Sequence, residues 1–296
     1  MSKVIEVTNL TRGYRGVTAV DNVSLSIEEN GIYGLLGRNG AGKTTLMKLL
    51  AGHEFKSSGS IQVYGSDPVE NSEVLANMAF IRESIRYPEN YKLEHVLKAA
   101  AIAFKNWDEG FAQQLVESFR VPRKRLVRKL SRGQLSAVGA VVGLAARAPI
   151  TIMDEPYIGM DAVARQNFYD TLLADYIAHP RTIIISTHLI DEVADLLEHV
   201  FMIDHGQITL DASTEELRGS AAVIEGAATP LDEAVSSFEI LESQTIGSQK
   251  RVVVQGLTQA DHLALQDAGF MVRPASLQQL IVSKSNLGTV EKVEVA

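Results

Sequence analysis

Nine consecutive residues, Gly37-Arg38-Asn39-Gly40-Ala41-Gly42-Lys43-Thr44-Thr45, constrain the fold more than any other part of the chain, because such a loop works only between a strand and a helix. Its glycines let the backbone curl until successive N–H groups converge on one point with no Cβ in the way. An anion of phosphate size fits there. The amine of Lys43 then reaches the β- and γ-phosphates of a nucleoside triphosphate, and the hydroxyl of Thr44 is placed to hold Mg²⁺. The flanks agree: Ile32 to Leu36 is a short apolar run of strand character, and Leu46, Met47, Leu49 and Leu50 share one side of a helix. That helix aims the positive end of its dipole at the phosphates.

Three further segments carry chemistry. Asp154 and Glu155 follow the apolar run Ile150 to Met153, so they stand at the C-terminal end of a buried strand, where open α/β sheets bind ligands. One such acid can hold Mg²⁺ and the other can orient an attacking water, and being adjacent they point in different directions. Standing alone, the pair would read equally well as an ordinary exposed turn before Pro156. His188 follows the run Thr182 to Ser186 and therefore lies at a second strand end, where it is either a surface or capping residue or one that can hydrogen-bond a γ-phosphate. Leu130-Ser131-Arg132-Gly133-Gln134 begins an apolar helix and reads either as a second anion-binding helix start or as a plain cap in which Ser131 accepts a backbone N–H.

The chain has 296 residues, 46% of them hydrophobic, enough for one large domain and a small one. It lacks any apolar run of about 18 residues, and Met1 to Thr8 has none of the regions of a signal peptide, so the expectation is a soluble or peripheral cytoplasmic protein. A formal net charge of −8 argues against general nucleic-acid binding. A local exception is the basic cluster Arg120, Arg123, Lys124, Arg125, Arg128 and Lys129, which is either a solvated surface or a contact for anionic lipid or an acidic partner.

Residues 1 to 30 alternate as antiparallel strands, Ile61 to Tyr64 adds another, and from about Leu93 to Phe119 the spacing of Phe111, Leu115 and Phe119 is helical. After Gly219 the character changes. Val252 to Val254 and a capped helix from near Thr258 to Gly269 predict a small α+β appendage. The expected domains are 1–220, with a helical subdomain at about 84–148, and 221–296.

In this order the elements resemble the ATP-binding subunit of the ABC transporter family over residues 3 to about 218. Gly37 to Thr45 match its Walker A motif, Ile150 to Asp154 its Walker B strand, Glu155 its catalytic glutamate and His188 its switch histidine. Leu130 to Gln134 match the signature LSGGQ, and Gly159 to Asp161 match the D-loop. Tyr14 falls where the family has an aromatic residue that stacks on adenine. The resemblance implies an α/β P-loop NTPase core of ABC type with antiparallel β and helical subdomains, and a Mg²⁺-dependent ATPase. It implies a head-to-tail dimer in which Ser131 and Gly133 of one copy meet the γ-phosphate bound by Lys43 of the other. The expected partners are a second ATP-binding subunit and an integral membrane transporter subunit that holds the chain at the inner face of the cell membrane. The wording of the loop and the segment Pro274 to Leu277 look most like ATPases of exporters; the alternative is a soluble member that regulates a macromolecule.

Two positions depart from the pattern. Arg132 replaces the first signature glycine, and Glu83 stands where the family has a glutamine that contacts the metal.

Overall fold

Apolar runs without polar alternation need cover on both faces. In the computed structural model, which describes residues 2–82, 86–218 and 220–281, they form the centre of a parallel sheet. Two long strands come first, β1 (Lys3–Tyr14) and β2 (Val17–Glu28), followed by β3 (Ile32–Leu36), β4 (Ser58–Val63) and β5 (Met78–Arg82). Later come β6 (Ile150–Asp154), β7 (Thr182–Thr187), β8 (His199–Asp204) and β9 (Gln207–Ser213). The larger sheet has the order β5-β6-β7-β3-β8-β9, and every residue of β3, β6 and β7 is buried. The pairs β5–β6, β6–β7, β7–β3 and β3–β8 are all parallel. Their registers set Arg82 beside Asp154, Asp154 beside Ser186, and Leu36 beside Thr187. Four neighbouring strands thus end at one edge.

The alternation at the start of the chain becomes the antiparallel sheet β2-β1-β4. Helix α1 (Lys43–Leu50) buries Leu46, Met47, Leu49 and Leu50 in a core shared with Val7 and Leu25 of that sheet and with Ile152, Ile184 and Phe201 of the parallel one. Each such side chain contributes roughly 1.5–3 kcal/mol by leaving water. The phosphate loop therefore hangs between two sheets on a helix anchored to both.

A short α2 (Ser72–Leu75) precedes β5. The helical region after it consists of two helices, α3 (Leu93–Ala103) and α4 (Glu109–Ser118). Asp108 causes the restart: its carboxylate caps Phe111 N at 2.8 Å and pairs with Arg147 at 2.9 Å. Leu115 is buried, but Phe111 is half-buried beneath the Arg147 guanidinium, and Phe119 ends the helix. Then follow α5 (Arg132–Ala145), buried from Ser136 to Ala145, α6 (Ala162–Ala178), α7 (Ile190–Val193) and α8 (Thr214–Leu217).

The chain divides into two compact units, one up to Ile208 and one from Thr209 onward, so the division falls inside β9, earlier than the change of character near residue 220. Gly219 itself lies outside the described residues. The second unit contains β10 (Ala221–Ala227), α9 (Ala228–Ala234), β11 (Glu239–Ile246), β12 (Gln249–Gln255), α10 (Gln259–Asp267) and β13 (Met271–Pro274). With antiparallel order β11-β12-β10-β13, this is the β-α-β-β-α-β arrangement of a ferredoxin-like unit. Ile224, Val252 and Val254 on the sheet pack with Leu231, Val235 and Leu265, and Thr258 caps α10.

Candidate nucleotide site

Where β3 ends, Gly37, Gly40 and Gly42 adopt φ values of 153, 85 and 116°. A Cβ on Gly37 would sit 2.3 Å from the carbonyl oxygen of Ile203, and one on Gly42 2.3 Å from that of Ala19. Neither position admits a side chain. Gly42 is also the N-cap of α1 and offers no side-chain cap, so the first N–H groups of that helix are left for a ligand. Lys43 is buried, with Nζ donating to the carbonyls of Gly37 at 2.6 Å and Arg38 at 3.0 Å. The loop opens on a cleft of about 370 Å³ lined by Asn39, Gly40, Gly42, Lys43, Thr44 and Thr45, with Asp154, Glu155, Arg132 and Ile158 opposite. Arg38 and Ala41 close the turn behind it through the Ala41 N–H, which donates to Arg38 O at 3.1 Å.

The two acids divide as their adjacency predicts. Asp154 accepts from Thr44 Oγ1 at 2.7 Å through Oδ2 and from Ser186 Oγ at 2.6 Å through Oδ1. Glu155 turns the other way, its Oε1 lying 3.5 Å from Lys43 Nζ and its Oε2 3.3 Å from His188 Nδ1. Its backbone is held in the left-handed region at φ 47°, where a residue other than glycine is strained, and its N–H donates to Ser186 Oγ at 2.9 Å. Ser186 therefore holds the carboxylate of Asp154 and the backbone of Glu155 at once. Thr44 and Asp154 present two hard oxygen donors side by side, the donor set that suits Mg²⁺ when phosphates and water supply its remaining ligands.

Sequence reasoning did not single out Ser186, Tyr157 or Thr187. The Tyr157 hydroxyl lies 2.8 Å from Thr187 Oγ1 and 3.4 Å from His188 Nδ1. Burial pushes its phenol up, although the bonds to Thr187 and to the His188 backbone oppose this. The available signal was the run of hydroxyl residues at the end of β7, whose register places Ser186 beside Asp154.

The segment Leu130 to Gln134 folds as a capping box: Ser131 Oγ accepts from Gln134 N at 3.2 Å, and Gln134 Oε1 accepts from Ser131 N at 3.1 Å. Leu130 ends the preceding turn, Val127–Lys129. A Cβ on Gly133 would lie 2.2 Å from Gly159 O, and Ser136 Oγ donates to Ile158 O at 2.6 Å, so α5 is clamped against the Gly159–Asp161 loop. Asp161 caps α6 by accepting from Ala164 N at 2.8 Å. Arg132 lines the cleft of its own chain. Tyr14 lies outside the residues lining that cleft, with its hydroxyl donating to Glu54 at 3.0 Å and Arg12 stacked 4.5 Å from its ring. Glu83 lies outside the described residues. In the basic cluster, Arg123 pairs with Glu117 at 3.5 Å and Arg128 with Glu89 at 3.6 Å, both on exposed surface.

A larger hollow of about 630 Å³ includes Arg147, His179 and Arg181. Its two arginines are already committed: Asp175 is buried between Arg147 at 3.1 Å and Arg181 at 2.8 Å.

Known proteins resemble this chain in both sequence and fold. Residues 20–158 match the family model described as ABC transporter. The bacitracin transport ATP-binding protein BcrA of Bacillus licheniformis is 30% identical over 223 residues, covering 74% of this chain and 72% of that protein. The ABC transporter ATP-binding protein YtrB of Bacillus subtilis is 26% identical over 215 residues, 73% of this chain and 74% of its own. The daunorubicin/doxorubicin resistance ATP-binding protein DrrA of Streptomyces peucetius is 27% identical, covering 74% and 68%. Among solved structures, an ATP-binding subunit of an ABC transporter superposes with a TM-score of 0.67 at 20% identity over 95% of this chain and 99% of that one. The bacterial cassette MJ0796, solved as a dimer, gives 0.63 at 19% identity over 71% and 98%.

Proposed function

The chain belongs to the family of ABC transporter ATP-binding proteins, and on that premise we propose that it powers export through a separate membrane-spanning subunit by closing on ATP as a head-to-tail dimer. It is an ATP-binding ATPase subunit. The observation that carries the mechanism is the contact of Thr44 with Asp154 at 2.7 Å, inside the cleft that Lys43 and Glu155 also line.

In the proposed cycle the N–H groups of the glycine loop and of the first turn of α1 bind the phosphates. Lys43 gives up the carbonyls of Gly37 and Arg38 and its contact with Glu155 for the β- and γ-phosphates. Glu155 is thereby released to orient the attacking water, while His188 hydrogen-bonds the γ-phosphate. Thr44 and Asp154 hold Mg²⁺, which when bound neutralises charge on the phosphates. Tyr14 stacks on adenine. Ser131 and Gly133 of the opposing copy close the site, and Asp161 shapes the loop between the two copies.

The export direction draws support from the similarity to BcrA and DrrA, named for bacitracin transport and for drug resistance. In this reading the chain sits at the inner face of the membrane through its partner. No helix among the described residues is long and apolar enough to cross a membrane. Steady-state assays test the chemistry: Lys43→Ala and Glu155→Gln each lose turnover by about a hundredfold or more, and normal turnover in either variant refutes the assignment. Purification from solubilised membranes tests the partner, with an integral membrane subunit expected and a soluble complex pointing to a regulator of another macromolecule.

A further inference from the structure

His188 has two ring nitrogens, and only one suits each of its neighbours. Glu155 Oε2 lies 3.3 Å from Nδ1, and a carboxylate only accepts, so in this arrangement the ring proton sits on Nδ1. A neutral imidazole then presents a bare Nε2. That is the wrong atom for a phosphate oxygen, which also only accepts. For His188 to donate to a γ-phosphate as a neutral ring, the proton must sit on Nε2, and Nδ1 must find a donor.

Tyr157 supplies that donor. Its hydroxyl is 3.4 Å from Nδ1, 2.8 Å from Thr187 Oγ1, and accepts from the His188 backbone N–H at 3.3 Å. Thr187 Oγ1 in turn accepts from Leu189 N at 2.8 Å. Tyr157 is 2% exposed and its ring lies 6.0 Å from that of His188, so the hydroxyl is held in place by packing. While Nδ1 donates to Glu155, the phenol proton is free to go to Thr187. When Glu155 is drawn to the attacking water, the two hydroxyls can reverse: Thr187 donates to the phenol oxygen, and the phenol donates to Nδ1. The phenol oxygen then accepts twice and donates once, its full complement. The ring loses a proton from Nδ1 and gains one on Nε2 by exchange with solvent at its half-exposed edge, with no net change of charge.

We propose that Tyr157 is a positioning residue that sets the tautomer of His188, and that the Thr187–Tyr157 hydroxyl pair reverses direction when ATP draws Glu155 away. The inference rests on the reading of His188 as the γ-phosphate contact, and the two can fail separately. Nitrogen-15 spectra of the full chain, with the His188 signals assigned by His188→Gln, would be recorded free and with Mg²⁺ and a non-hydrolysable ATP analogue. The wild type should pass from Nδ1–H to Nε2–H on loading. In loaded Tyr157→Phe the Nε2–H form should be lost or mixed, with kcat down about tenfold or more and KM within about twofold. An unchanged tautomer between free and loaded wild type overturns the proposal, whether or not the variant folds. So does Tyr157→Phe with wild-type spectra and kcat. Full turnover in His188→Gln overturns the underlying reading instead.

Discussion

Replacing Ser186 by alanine removes one oxygen and leaves two partners stranded. Ser186 is fully buried, donates to Asp154 Oδ1 at 2.6 Å and accepts from Glu155 N at 2.9 Å. A buried group left without its hydrogen bond costs about 1–3 kcal/mol, with the charged one at the upper end, so the two together predict a loss of about 3 kcal/mol. At roughly 2–4 °C per kcal/mol for a unit of this size, the melting temperature should fall by about 6–12 °C. Ser136→Ala is the control. It breaks one neutral bond, to Ile158 O at 2.6 Å, and should cost only about 1 kcal/mol. Because the Ser186 bond also holds Glu155 at its strained φ of 47°, turnover should drop on the order of tenfold or more, whereas Ser136→Ala touches neither acid. Calorimetry and an ATPase assay on the two variants read both effects. A Ser186→Ala chain that melts within about 1 °C of the wild type and turns over normally would refute the claim that this hydroxyl holds the Asp154 carboxylate and the Glu155 backbone together.

Arg132→Gly should lower the affinity of dilute chain for ATP more than for ADP, with a difference that shrinks in high salt, because Arg132 lines its own cleft; equal binding by equilibrium titration would place it elsewhere. Tyr14→Ala should raise KM for ATP several-fold through the lost stacking face, whereas Tyr14→Phe, which gives up only the bond to Glu54, should leave KM nearly unchanged. His53 packs edge-on against Phe80, and burial, with Arg82 and Lys48 nearby, holds its imidazole below the usual range. The folded chain thus binds this proton less readily than the unfolded one, so the contribution is complete above the unfolded pKa of about 6.5 and is lost as pH falls toward the folded value. Melting curves of His53→Phe between neutral and mildly acid pH should therefore be flatter than those of the wild type, and parallel curves would refute the assignment.

The loop from Gly37 to Thr45 was legible because its function dictates its spacing, and the apolar runs around it were legible because a doubly covered strand tolerates little else. Asp154 and Glu155 could be placed for the same reason. Ser186 could not: a hydroxyl inside an apolar strand is common, and what makes this one matter is a register with a strand 32 residues away. Tyr157 is hidden in the same manner, since a tyrosine after Pro156 looks like core until Thr187 and His188 fold beside it. The break between α3 and α4 has no mark in the spacing of Phe111, Leu115 and Phe119, which all lie beyond it, while the Asp108 cap that starts α4 is braced by Arg147 from a distant element. The ferredoxin-like order of the second unit lies in its strand pairing, which no local pattern encodes.

The central claim is that one chain supplies half of each site, with Lys43 on one side and Ser131 on the other. Light scattering of Glu155→Gln, which should bind ATP without consuming it, tests this most directly. With ATP and Mg²⁺ the mass should double, and with ADP it should not. Adding Ser131→Arg should restore the monomer, although loss of the α5 cap by itself costs only about 1 kcal/mol. A Glu155→Gln chain that binds ATP yet stays monomeric at every concentration, or a dimer indifferent to Ser131→Arg, would contradict the account.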